Sequence, residues 1–148
     1  MNPTLRTELL TDPLGRGYAS KTDQQCADDL NTKYRQVVES LPPEKLILWS
    51  AEAGRIQKIE TAMSNTGGNV NLRAAARAFY LTIQAFDAAD PRDNRWIALV
   101  DGLVAGAVLT AADKAALVAE ATVLRSRAEE LGLGTVQAGE VREARFQG

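Results

Sequence analysis

Residues 110–131, TAADKAALVAEATVLRSRAEEL, decide the fold class. Thr110-Ala-Ala-Asp113 matches a capping box, in which the threonine side chain and the N3 side chain each accept from the other's backbone N–H. The apolar spacing beyond it keeps the helical period as far as Leu131, and Gly132 and Gly134 supply the stop. The same signals recur along the chain. Asn2 caps a short helix with Pro3 at its first position and Leu5, Leu9 and Leu10 on its faces. Thr22-Asp-Gln-Gln25 is another capping box, opening a helix that buries Ala27 and Leu30. Tyr34, Val37, Val38 and Leu41 lie three or four apart and predict a helical segment up to Pro42. Pro43 starts the next helix, which carries Leu46, Ile47, Trp49, Ile56, Ile59 and Met63, with a kink or break expected at Gly54.

Asn65–Asn71, NTGGNVN, is the clearest loop, and Asn71 is placed to cap a helix over Leu72–Asp87. Ala74, Ala75, Ala78, Phe79, Thr82, Ile83 and Phe86 form its apolar stripe. Asp90-Pro91 opens a further helix through Trp96, Leu99, Val100, Leu103 and Val104. No segment alternates in the manner of a strand. The chain is therefore expected to be all-α, a compact bundle of short and medium helices with an extended N-terminal arm and a C-terminal tail. Residues 1–148 form one domain in this reading: 1–21 arm and turn, 22–134 helical core, 135–148 tail. The tail either adds a short helix through Val141 and Phe146 or frays. The expected core comprises Leu46, Trp49, Ile56, Ile59, Phe79, Ile83, Trp96, Leu99, Leu103, Leu117 and Leu124.

Composition narrows the chemistry. The 148 residues carry 17 Lys+Arg against 19 Asp+Glu, a formal charge of −2, with no His and a single Cys. That balance argues against a phosphate-tracking nucleic-acid binder. Arg73, Arg77, Arg92 and Arg95 are interleaved with Asp87, Asp90 and Asp93, as on ordinary solvated faces. Without imidazole, the commonest acid–base catalyst and metal ligand is missing. Cys26 sits near Asp23, Asp28 and Asp29, which disfavour the thiolate. The acids from Asp87 to Asp93 lack the ligand count and the glycine of a calcium loop. Neither Gly15-Arg16-Gly17 nor Gly67-Gly68 is followed by the Lys-Ser/Thr of a phosphate loop. No catalytic residue, cofactor or metal site is assigned, and the class expected is a binding or structural protein. The N-terminus lacks a signal-peptide pattern and no apolar stretch reaches membrane-span length, so the chain is expected to be soluble, with no membrane partner.

Two segments carry a resemblance. Thr11–Arg35, TDPLGRGYASKTDQQCADDLNTKYR, and Ala128–Arg145, AEELGLGTVQAGEVREAR, resemble small, mostly uncharacterised helical proteins encoded by tailed bacteriophages and prophages. Asp12, Pro13, Leu14, Gly15, Arg16, Gly17 and Tyr18 match that group's turn residue by residue, while Ser20-Lys21 departs from the smaller or more apolar step that precedes its Thr-Asp cap. The match covers under a third of the chain, at its two ends. It implies a phage setting among virion morphogenesis genes and no enzymatic activity. A virion structural protein is then expected, made in the bacterial cytoplasm and docking on the neck, tail or capsid. Its partners would be other virion proteins and copies of itself. A non-virion assembly factor and a host-directed binding protein are the alternatives. Interface candidates are Asp12 through Tyr18 together with Val141, Arg145 and Phe146. The turn itself has two readings: it presents Arg16 and Tyr18 to another chain, or it is an internal connector with Tyr18 in the core and Arg16 paired to an acid. The resemblance favours the first.

Overall fold

The computed structural model describes residues 2–146. The protein is mostly helical with one two-stranded sheet, so the all-α expectation holds for its bulk but not throughout. In order, the elements are α1 (Pro3–Thr11), α2 (Asp23–Asn31), β1 (Lys33–Val38), α3 (Pro43–Ala51), α4 (Arg55–Ser64) and α5 (Val70–Gln84). There follow α6 (Asn94–Ala105), α7 (Ala111–Glu120), β2 (Thr122–Ser126), α8 (Arg127–Glu130) and α9 (Ala138–Phe146).

The caps form where local chemistry puts them. Asn2 accepts from the Thr4 and Leu5 N–H groups, and Thr22 and Thr110 make complete capping boxes with Gln25 and Asp113. The break after α3 also appears, with Ala53 at φ 52° and Gly54 at φ 66° separating α3 from α4. Two caps shift. Asn69, rather than Asn71, accepts from the N–H groups that open α5. Asp93 caps α6, while Asp90 is engaged by Arg92.

The larger corrections concern the strands. Residues 33–38 form β1 instead of a helix, and the run to Leu131 breaks after Ala121 into β2 and α8. Tyr34, Val37, Val38, Thr122 and Val123 are aromatic or β-branched, and once paired they favour the pleated ladder over the helix. The Glu39 N–H donates to the Ala121 carbonyl at 2.9 Å, and at the other end Lys33 meets Glu129, so the two strands run antiparallel.

The single domain with a 22–134 core gives way to two compact units. Unit 1 takes residues up to Val37 and from Leu124 onward; unit 2 is Val38–Val123. The chain leaves unit 1 along β1 and returns along β2. Unit 1 packs α9 against α1 and α2, and α8 against α2. Its core is Leu5, Leu9, Tyr18, Cys26, Ala27, Leu30, Ala128, Val136, Val141 and Ala144. The tail is therefore a helix with a buried face. Asn31 fastens the segment before it, donating to the Val136 carbonyl at 2.8 Å and accepting from the Val136 N–H at 2.9 Å. The final two residues of the expected tail lie outside the described ones.

Unit 2 collects α3–α7 around Leu46, Trp49, Ile59, Phe79, Leu103 and Leu117, all buried as expected. Ile83, Trp96 and Leu99 pack against this cluster at partial exposure, and Ile56 is half-buried. Phe79 lies between the two tryptophans, with ring centroids 5.8 Å from Trp49 and 4.9 Å from Trp96. Leu124 is solvent-exposed, because β2 replaces the helix that would have turned it inward.

Candidate interaction residues

The turn after α1 is built on Asp12. Its backbone closes α1 in the left-handed region at φ 41°, and its carboxylate accepts from the Arg16 and Gly17 N–H groups, both at 2.7 Å. Gly15 and Gly17 sit at φ 64° and 74°, conformations costly for residues with a Cβ. Burial alone would raise the Asp12 carboxyl, but the backbone donors of Arg16, Gly17 and Tyr18 and the charge of Lys21 together hold it below its ordinary value.

This turn aims its functional groups inward. Arg16 donates to the Asp29 carbonyl at 2.9 Å and to its carboxylate at 3.3 Å, with the guanidinium 4.2 Å over the Tyr34 ring. Tyr18 is fully buried, and burial pushes its phenol up to about 12. The geometry is that of the internal connector, so Arg16 and Tyr18 are corrected as candidates for presentation to another chain. Replacing Arg16 with Ala is then expected to cost about 2 kcal/mol, the scale of hydrogen bonds to charged groups, in denaturant unfolding. A freely presented arginine would cost a few tenths.

The C-terminal candidates divide in the same way. Val141 is in the core of unit 1. Arg145 reaches back to the Asp23 carboxylate at 2.7 Å, the Lys21 carbonyl at 2.9 Å, the Cys26 Sγ at 3.0 Å and the Tyr18 carbonyl. It pins α9 to the start of α2 and is a structural clasp. Phe146 is 77% exposed and Leu14 46% exposed; Pro13, Gly15 and Gly17 are exposed beside Leu14. These are the candidates that remain available to a partner, joined by Leu10 on α1, which is 65% exposed.

Cys26 is fully buried, and burial, the largest influence, raises its thiol above the ordinary value despite Arg145. Among the described residues no group of three or more His, Cys, Asp or Glu is placed to hold a metal ion. No helix among them is long and apolar enough to cross a membrane.

Several carboxylates of both units titrate low. Lys33 and the Ser126 N–H hold Glu129 at about 2, and the Tyr34 hydroxyl and Arg127 hold Glu130 below its usual range against burial. Burial would raise Asp113, but Arg55 and Thr110 together pull it down. Groups with depressed folded values contribute stability above their unfolded values, near 3.8 for Asp and 4.5 for Glu, and lose it as pH falls through the folded ones. With no histidine, stability should be flat from about pH 6 to 8 and fall continuously from about pH 5 toward 2. Thermal melts across that range check it; a transition centred near pH 6.5 would contradict it.

No protein-family model, curated protein or solved structure matches this chain.

Proposed function

We propose that the chain is a structural protein of a tailed-phage particle, docking as a small helical subunit on the neck, tail or capsid. The observation that carries this is the placement of the two resembling segments. Thr11–Arg35 and Ala128–Arg145 are far apart in sequence, yet both fall in unit 1 and supply much of its core. A resemblance confined to the ends of a chain thus corresponds to one folded unit, with Val38–Val123 set between its two parts. In this proposal unit 1 is the part common to such phage proteins and makes the contact with other virion proteins. Leu10, Leu14 and Phe146, three of the exposed apolar side chains of unit 1, are proposed for that contact. Many copies on a symmetric particle would strengthen a modest interface of this kind. The proposed activity is binding, without a catalytic step, in a protein made in the bacterial cytoplasm and carried in the virion.

A quantitative mass-spectrometric inventory of purified particles tests the reading. The expected result is the chain at a copy number matching a particle symmetry. Presence during assembly with absence from finished particles would replace it with a transient assembly factor.

A further inference from the structure

The sheet has two strands and so two edges, and they are finished differently. The Glu39 N–H donates to the Ala121 carbonyl, which fixes the parity of the antiparallel ladder. Lys33, Arg35 and Val37 turn their N–H and C=O groups toward β2, while Tyr34, Gln36 and Val38 turn theirs outward. Among the described residues no third strand and no other backbone group meets those outward groups. The β2 edge is blunted: α7 and α8 flank the strand closely, and the Glu129 carboxylate takes the Ser126 N–H at 2.8 Å. On β1, Lys33 to Gln36 are exposed in succession, so both faces of the strand are open along with its edge. The strand carries no proline or glycine that would interrupt pairing.

We propose that this edge pairs antiparallel with β1 of a second copy of the chain, centred on Gln36, so that two small sheets join into one of four strands. The register follows from the parity. Centred on Gln36, every outward residue of β1 finds a partner: Tyr34 with Val38 of the second copy, Gln36 with its own counterpart, and Val38 with Tyr34. Centred on Arg35 or Val37, one outward residue of each strand loses its partner within β1, and the Arg35 register also sets arginine directly against arginine. The side chains answer one another in the Gln36 register. Tyr34 beside Val38 is an aromatic against a β-branched residue, and the two Gln36 amides can exchange hydrogen bonds. On the other face Lys33, which meets Glu129 in its own chain, comes opposite Glu39 of the second copy. That self-complementarity selects a second copy over an unrelated extended segment. One strand pair buries less than about 1,000 Å² in all, so the dimer is weak by itself. The proposal does not depend on which particle, if any, the chain joins.

Sedimentation equilibrium of the full chain from about 1 to about 300 µM should show a monomer–dimer equilibrium. Gln36→Pro removes only an outward N–H, so it should keep the circular dichroism spectrum and abolish the dimer across that range. Gln36→Lys and Gln36→Glu carry the same test without touching the backbone. Each sets like charges against each other at the two-fold axis and should weaken the dimer roughly a hundredfold, while mixing the two variants should restore it. Mild oxidation should cross-link Gln36→Cys, whose α-carbons lie about 5.5 Å apart across the pair. Lys33→Cys should not cross-link, because its counterparts are about 20 Å apart, and Cys26 is fully buried and does not compete. A monomer throughout the range, a folded Gln36→Pro variant that dimerises like the parent, or a Lys/Glu mixture no more associated than its components would each overturn the proposal. Cross-linking at position 33 as readily as at 36 would do so too, as would capture of another protein's extended segment by a strictly monomeric chain.

Discussion

Arg127→Ala is expected to destabilise unit 1 by about 3–5 kcal/mol, the cost of stripping the partner from a buried ion pair. Arg127 on α8 makes a two-pronged contact with Glu8 on α1, Nε to Oε1 at 2.8 Å and Nη2 to Oε2 at 2.7 Å. Glu8 is only 3% exposed, so the truncated variant would leave a carboxylate in the core with no cation. The same hydrogen bonds push the Arg127 guanidinium further from deprotonation. Hydrogen exchange should show protection lost in α1 and α8. The paired change Glu8→Leu with Arg127→Met should recover most of the stability, because it removes both charges together. If the single variant lost under about 1 kcal/mol, the pair would behave as a solvent-screened surface contact instead.

The second large effect is expected at Asp113. One oxygen of its carboxylate accepts from the Thr110 N–H at 2.9 Å, completing the cap of α7, and the other accepts from Arg55 Nε at 2.8 Å. Arg55 is buried, donates to the Trp49 carbonyl at 2.8 Å, and lies 4.8 Å over the Trp49 ring. Asp113→Ala removes the reciprocal half of the Thr110 capping box and the buried counter-ion of Arg55 together, leaving Arg55 only the exposed Glu52 at 3.5 Å, and about 3–5 kcal/mol should be lost from unit 2. Asp113→Asn keeps a capping oxygen without the charge and should recover about 1 kcal/mol of that. Both tryptophans lie in unit 2, so intrinsic tryptophan emission follows its unfolding directly. Equal losses for the Ala and Asn variants would mean that the Asp113 half of the capping box contributes nothing.

What the sequence made legible was local. The caps at Asn2, Thr22 and Thr110 are decided by hydrogen bonds spanning two or three residues, and the break at Gly54 by the backbone preference of one glycine. The strands were not legible because Tyr34, Val37 and Val38 satisfy a helical spacing, and the residues that pair with them follow some 85 positions later. The same distance hid Glu8–Arg127 and Arg145–Asp23, whose partners are separated by 119 and 122 residues. Without those contacts the C-terminal segment has only a weak helical pattern and looks like a tail. At the turn, Pro13 and the two glycines showed a fixed conformation but not its direction. Asp29 and Tyr34, which draw Arg16 inward, become its neighbours only after α2 has folded back. In α5 the apolar residues read as one stripe belong to two faces: Phe79 and Ile83 point to the core, while Ala74, Ala78 and Phe86 remain outside. The clue was the second periodic set, Val70, Ala74, Ala78, Leu81 and Ala85.

Removing unit 2 tests most directly whether the two ends of the chain make a unit of their own. Glu39 and Ala121 are hydrogen-bonded neighbours where β1 and β2 leave unit 1, so an Asn-Gly turn can join them in place of residues 40–120. The product, roughly 70 residues long, is still above the size at which small domains usually need disulfides or metals. Amide hydrogen exchange of this shortened chain should show protected α1, α2 and α9 lost together in one cooperative unfolding step. Exchange at unprotected rates throughout those helices would contradict a unit built from both ends, and with it the basis for assigning that unit the particle contact.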